Sequence, residues 1–273
     1  DSGIDGPPYQ QIFNATGALP SAHPGWARVF DYGTSPGGRG LRVVRIQSPS
    51  GERQDKSNAK RAVLVSGSTH GNEYLNIEDR LAPWFLENRV KSPGLARFLA
   101  SGGILYVVPI LNPDGYDNDR RENDHGVDLN RDFDLVPADE PGFTQPETRL
   151  LAEWLDRDLR ASNAELKLTV DYHCCDGSLL YPWSYVMTAL PPADASAHGE
   201  IGRLMQTDID ESYETGSTGQ VLGYNPRGTS KDYYYARYGA LAFTFEGSYG
   251  DEDRNFPKHT QWWDHVLAQV AAD

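Results

Sequence analysis

A chain of 273 residues is long enough to bury a sizeable core, and 38% hydrophobic with 23% charged residues is an ordinary globular composition. A formal net charge of −14 argues against nucleic acid as a partner, because binding phosphates needs a basic surface. No apolar run approaches the roughly 20 residues of a membrane span, so none is expected.

The sequence opens at Asp1, without methionine, in a polar stretch rich in Gly and Pro. That fits a mature exported protein, periplasmic or extracellular, or a trimmed chain, with the cytoplasm left open. Apolar, β-rich runs at residues 41–46 and 62–65 predict the first strands, separated by an exposed loop over 48–60. A helix is expected over 76–88, where Ile77, Leu81, Trp84 and Phe85 share one face. A third strand covers 104–110, and the polar stretch 112–134 after it is too rich in chemistry to be a linker. The next helix, over 144–159, opens with Thr144-x-x-Glu147, a capping box, and has Pro146 in its first turn. A strand at 166–170, a helix at 230–238, a strand at 241–245 and a helix at 259–272 complete the reading. Without a repeat or a compositional break, residues 1–273 are expected to form one domain. Near-continuous apolar strands alternating with helices predict an α/β fold, a mixed sheet covered by helices on both faces.

Chemistry collects just after the strands. Residues 62–65 run into His70-x-x-Glu73, 104–110 into Asn112-Pro-Asp-Gly115, 166–170 into His173, and 241–245 into Glu246. In open α/β sheets such strand ends converge on one crevice, so these residues can meet. If they do, His70, Glu73 and His173 form a two-histidine, one-carboxylate set with a position left for water, the pattern of catalytic zinc. Manganese and cobalt accept the same ligand types. Glu246 is then an acidic group not needed as a ligand and suited to moving a proton. In Gly126-Val-Asp-Leu-Asn-Arg131, Asn130 and Arg131 offer donors for a substrate carboxylate, and Asp128 can hold the second nitrogen of a metal-bound histidine. Arg121 reads as a free guanidinium suited to an oxyanion. The only cysteines, Cys174 and Cys175, are neighbours. They cannot staple distant segments, and they read first as two small, partly buried residues.

Together these pieces resemble the zinc carboxypeptidase family, the carboxypeptidase A-like metallopeptidases. The matching motifs run in the family's order. They are His70-x-x-Glu73, Pro109-Ile-Leu-Asn-Pro-Asp-Gly-Tyr116, Arg121 upstream of Gly126-Val-Asp-Leu-Asn-Arg131, His173 followed by Leu179-Leu-Tyr-Pro182, and Thr244-Phe-Glu246. The resemblance implies a mainly eight-stranded sheet, one Zn²⁺ on His70, Glu73 and His173, and Glu246 as general base and acid. It also implies Arg121 as the oxyanion arginine, and Asn130 and Arg131 as the clamp on a peptide's C-terminal carboxylate. Tyr224 stands at the offset of the family's mobile tyrosine. Lys231 stands where the family places the side chain at the floor of the specificity pocket.

Lysine there implies a C-terminal residue with a distal carboxylate: Glu, Asp, or diaminopimelate in a murein peptide. The chain departs from the digestive enzymes at Asn72, where they carry Arg, and at Cys174 and Cys175, where Ser and Tyr are usual. A shorter stretch between clamp and third ligand makes it a compact member, more like bacterial enzymes that trim murein. A second reading is an N-acyl amino acid deacylase of the succinylglutamate desuccinylase or aspartoacylase kind, which shares His-Gly-Asn-Glu and Asp-Leu-Asn-Arg. The Asn-Pro-Asp-Gly stretch and the Tyr224 offset fit the peptidases better. A third, a catalytically dead binding module, is opposed by the retention of all three ligands with Glu246.

Overall fold

The computed structural model describes residues 6–52, 59–134, 141–248 and 252–272. Eight strands form one mixed sheet: β1 (Ala27–Thr34), β2 (Gly40–Ile46), β3 (Lys60–Gly67), β4 (Ile104–Val108), β5 (Ala164–Cys174), β6 (Ser178–Tyr181), β7 (Glu214–Ser217) and β8 (Leu241–Gly247). Their order is β1-β2-β4-β3-β5-β8-β6-β7. The central strands β4, β3, β5 and β8 run parallel, while β1, β2 and β6 join their neighbours toward the centre antiparallel. The helices in chain order are α1 (Tyr9–Ala22), α2 (Pro49–Glu52), α3 (Glu78–Asn88), α4 (Pro93–Ala100), α5 (Pro113–Asp117), α6 (Pro146–Ser162), α7 (Pro192–Asp208), α8 (Thr218–Val221), α9 (Ser230–Tyr238) and α10 (Glu252–Ala272). Among the described residues, no helix is long and apolar enough to cross a membrane.

The period of two along each strand divides the core. Val63, Val65, Leu168, Val170, Phe243 and Phe245 point to one face, where α3, α4, α7 and α10 supply Phe85, Phe98, Met205, Trp262 and Trp263. Ala62, Leu64, Ile104, Tyr106 and Ala242 point to the other, covered by Leu151, Trp154 and Leu155 of α6 and Tyr234 of α9. Both faces being apolar explains why these strands read as unbroken apolar runs.

All five expected strands are present, and β3 and β5 run beyond the predicted limits, carrying the backbone to the polar ends. β4 stops at Val108, since Pro109 has no N–H for the ladder. Three strands had no clear signal: β1 is an edge strand with a half-exposed pattern, and β6 and β7 have four residues each. The expected capping box at Thr144 does not form. Asp132 accepts the Thr144 and Gln145 backbone N–H groups at 2.8 and 3.0 Å, so a carboxylate from the preceding loop takes the donors of the α6 entrance. Glu147 instead accepts from the Asn123 amide.

Beside the site, Gly67 ends β3 where an added Cβ would lie 2.1 Å from Glu78 Cγ. The space it leaves admits the Glu78 side chain, which folds back to accept the N–H groups of Leu75 at 3.2 Å and Ile77 at 3.1 Å. Burial pushes the Glu78 carboxyl up to about 8, against those backbone bonds. A folded-state value raised above the unfolded one makes stability highest below the unfolded value of 4.5 and lost as pH climbs toward 8. Urea unfolding across that range is expected to show wild type losing up to about 1.4 kcal/mol per pH unit relative to Glu78→Gln. Parallel pH profiles for the two proteins would refute this.

Candidate active site

The carboxyl ends of β3 and β5 and the turn after β3 bring His70, Glu73 and His173 together, with one ligand atom from each lying within 4.8 Å of the others. His70 Nδ1 is 2.8 Å from Glu73 Oε2, which is 2.9 Å from His173 Nδ1. The two Nδ1 atoms are 3.1 Å apart. Both imidazoles therefore aim the same nitrogen at one point. Behind them, His70 Nε2 meets Asp128 Oδ1 at 3.0 Å, as expected, and His173 Nε2 meets Asp171 Oδ2 at 3.0 Å.

Asp171 carried no role in the sequence reading, although a signal exists. Residues two apart on a strand share a face, so Asp-x-His at the end of β5 puts the carboxylate beside the imidazole.

Burial alone would raise the Glu73 carboxyl, but the bonds from His173 and His70 outweigh it and hold it well below the carboxylate range. Asp128 is held down likewise, against its burial, chiefly by His70. Burial opposes charge on His173 too, and Asp171 and Glu73 overcome it, raising this histidine well above its ordinary value. Unlike Glu73 and Asp128, Glu246 is raised. It pairs in register with His173 across β5 and β8, and burial pushes its carboxyl up despite the nearby histidine.

The turn carrying His70 is clamped from outside. A Cβ on Gly71 would lie 2.0 Å from the backbone carbon of Gly115, so only glycine lets α5 lie against this turn. Asn112 donates to the Arg121 carbonyl at 3.1 Å and accepts from Gly115 N at 2.9 Å. Asp114 receives Ser35, Gly37 and Arg39. The Asn-Pro-Asp-Gly stretch is thus a scaffold for the ligand turn.

Pinned there, Arg121 is not the free guanidinium expected. It reaches Asp128 at 2.9 Å and Glu73 at 3.2 Å, because its backbone is tied to the same turn. Asn130 is buried and accepts Ser230 N–H through Oδ1 at 3.0 Å, which leaves its Nδ2 donor for the cavity. Arg131 is exposed and donates to the Asn130 carbonyl at 2.8 Å.

A cavity of about 260 Å³ opens beside the cluster, and His70, Glu73, Arg121, Asn130, Arg131, Tyr224, Lys231 and Glu246 all line it. Tyr224 stands half exposed at its rim. Lys231 is buried at 2% exposure, not turned to solvent from α9. Among the described residues its Nζ reaches only Thr244 Oγ1, at 3.4 Å, and no carboxylate lies within ion-pair distance. Burial pulls it below the ordinary lysine value, against the pull of Asp232 and Glu246. Cys174 and Cys175 are half-buried as read, with Cys174 in the cavity wall.

The family profile described as zinc carboxypeptidase matches residues 12–265. The chain belongs to the zinc carboxypeptidase family. It is 30% identical to carboxypeptidase SOL1 of Arabidopsis thaliana over 88% of this chain and 49% of that protein. It is 25% identical to an inactive metallocarboxypeptidase, ecm14, of Sclerotinia sclerotiorum over 82% and 46%. The chain spans about half the length of these relatives. In fold it resembles thrombin activatable fibrinolysis inhibitor, at TM-score 0.80 and 18% identity over 97% of this chain and 74% of that one. Murein-tripeptide amidase MpaA of Escherichia coli O157 follows at 0.53 and 19%, over 89% and 91%.

The family's zinc fits these residues. Two imidazole nitrogens and a carboxylate oxygen converge, each imidazole is held from behind by a carboxylate, and no thiolate pair competes. Gly71→Ala is expected to push the ligand turn off α5 and weaken zinc binding about tenfold, measured by competition with a chromophoric chelator. Unchanged affinity would show that the turn tolerates a side chain.

Proposed function

We propose that this chain is a zinc metallocarboxypeptidase that cleaves the C-terminal peptide or amide bond of substrates ending in a residue with a distal carboxylate: Glu, Asp, or diaminopimelate in a murein peptide. The observation that carries the preference is Lys231, a buried ammonium on the cavity wall with no carboxylate partner among the described residues. An unpaired buried charge is costly, and an anionic side chain entering the cavity would relieve it. Thr218, Thr229 and Thr244 in the same wall suit a polar occupant over an aliphatic one. The fold likeness to a murein-tripeptide amidase agrees with this reading.

Bound zinc supplies Lewis-acid polarisation of carbonyl and water oxygens. The chain's own groups do the rest. Arg131 and the Nδ2 of Asn130 grip the terminal carboxylate and set the register of the bond to be cut. Glu246, whose proton affinity is raised by burial, takes the proton of the attacking water and returns it to the departing amine. Arg121 faces the cavity from beside Glu73 and steadies the negative charge that develops on the carbonyl oxygen. Tyr224 closes the rim over the bound residue.

Amino acid release from a mixed library of peptides, murein tripeptides and N-acyl amino acids, read by mass spectrometry, tests the proposal. Glutamate, aspartate or diaminopimelate should dominate. Faster cleavage of N-acyl glutamate than of a peptide ending in glutamate would favour the deacylase reading, and a zinc-loaded protein that cleaves nothing would favour a binding module. Glu246→Gln is expected to lower kcat by about 10²–10⁴ while still binding zinc. Lys231→Asp should turn the preference from acidic to basic C-terminal residues, by about tenfold or more. An unchanged order of preference would overturn the role given to Lys231.

A further inference from the structure

We infer that Asp171 is the positioning residue for His173, holding its proton on Nε2 so that Nδ1 faces the metal, and that it outweighs Asp128 in securing the zinc. This inference rests on the reading of His70, Glu73 and His173 as metal ligands.

A neutral imidazole carries one N–H, and a carboxylate can only accept. Once His173 gives the Nδ1 lone pair to a metal, its one N–H stands on Nε2, where Asp171 Oδ2 at 3.0 Å accepts it. Nδ1 points at Glu73 Oε2 and His70 Nδ1, the centre of the cluster.

Asp128 holds His70 in the same way but is compromised. It lies partly exposed and shares its charge with Arg121, whose Nε and Nη2 sit at 3.0 and 2.9 Å. Asp171 is buried at 3% exposure, and among the described residues His173 is its only ion-pair partner. Its remaining acceptor capacity is filled by neutral hydroxyls: Ser66 Oγ and Thr69 Oγ1 at 2.8 Å and Ser230 Oγ at 2.9 Å. Hydroxyls orient a carboxylate without neutralising it, so its negative charge bears on His173 undiluted, in a site screened from water.

The same three hydroxyls tie the carboxylate to the parts that must not move. Ser66 belongs to the end of β3, Thr69 precedes His70, and Ser230 opens α9 one residue before Lys231. Asp171 therefore fixes both the tautomer and the place of His173. An asparagine there would keep the size but would present either an oxygen or an NH₂ to Nε2, and the tautomer would no longer be enforced.

The test is zinc affinity, measured by chelator competition on wild type, Asp171→Asn and Asp128→Asn, with apo-form unfolding midpoints recorded alongside. Asp171→Asn is expected to bind zinc about 10–100-fold more weakly than wild type, and Asp128→Asn is expected to lose less. A folded Asp171→Asn within threefold of wild type, or a larger loss in Asp128→Asn, would overturn the inference. Wild type that binds no stoichiometric zinc would sink the metal reading itself. Nitrogen NMR of zinc-loaded wild type serves if Asp171→Asn does not fold. The expected signature is a protected Nε2–H on His173 with the metal at Nδ1, and the metal at Nε2 would refute the role.

Discussion

Three side chains that aim lone pairs at one point do not stay together unaided, and the rest of this structure depends on how His70, Glu73 and His173 are restrained. Each histidine is gripped at its far nitrogen by a carboxylate, Asp128 or Asp171, while Arg121 balances Glu73 from the open side. Without those partners the imidazoles would be free to rotate or to turn the wrong nitrogen inward. With them, the cluster is set before any ion arrives, so little conformational entropy remains to be lost on binding.

The restraint reaches outward through backbone as well as charge. Gly71 lets α5 press on the ligand turn, and Asn112 ties that turn to Arg121. Gly228, at φ +70°, does the same on the other side, where a Cβ would lie 2.3 Å from the Arg131 carbonyl oxygen. Phe133 N–H reaches the Gly228 carbonyl at 3.1 Å, which joins the loop after Arg131 to the segment leading into α9. Ser230 is the joint that ties Asn130 to Asp171 behind His173, its N–H meeting Asn130 Oδ1 and its hydroxyl Asp171 Oδ2.

Against that rigidity the cavity is polar and unevenly charged. Lys231 and Glu246 stand on the same wall without pairing, and burial weakens the charge of each. Tyr224 lines the cavity half exposed.

The sequence by itself determined a good deal of this protein. Unbroken apolar runs marked the central strands because helices cover both faces, and the polar residues that end those runs marked the site, since a parallel sheet gathers its strand ends. His70, Glu73, His173 and Glu246 stand just past or at those strand ends, whereas Asn130 and Arg131 were read from the polar loop 126–131. Tertiary structure alone decided the rest. Strands of four residues carry too little pattern to be recognised, which hid β6 and β7. Thr144 lost its capping role because Asp132, remote from any helix pattern, offered its donors a charged acceptor. Arg121 turned out to be engaged because its backbone is bound to the His70 turn. Lys231 proved buried because packing, not the short helix it sits on, sets its exposure. Asp171 went unread because its place beside His173 on one strand face gains meaning only when Ser66, Thr69 and Ser230, distant along the chain, close around it.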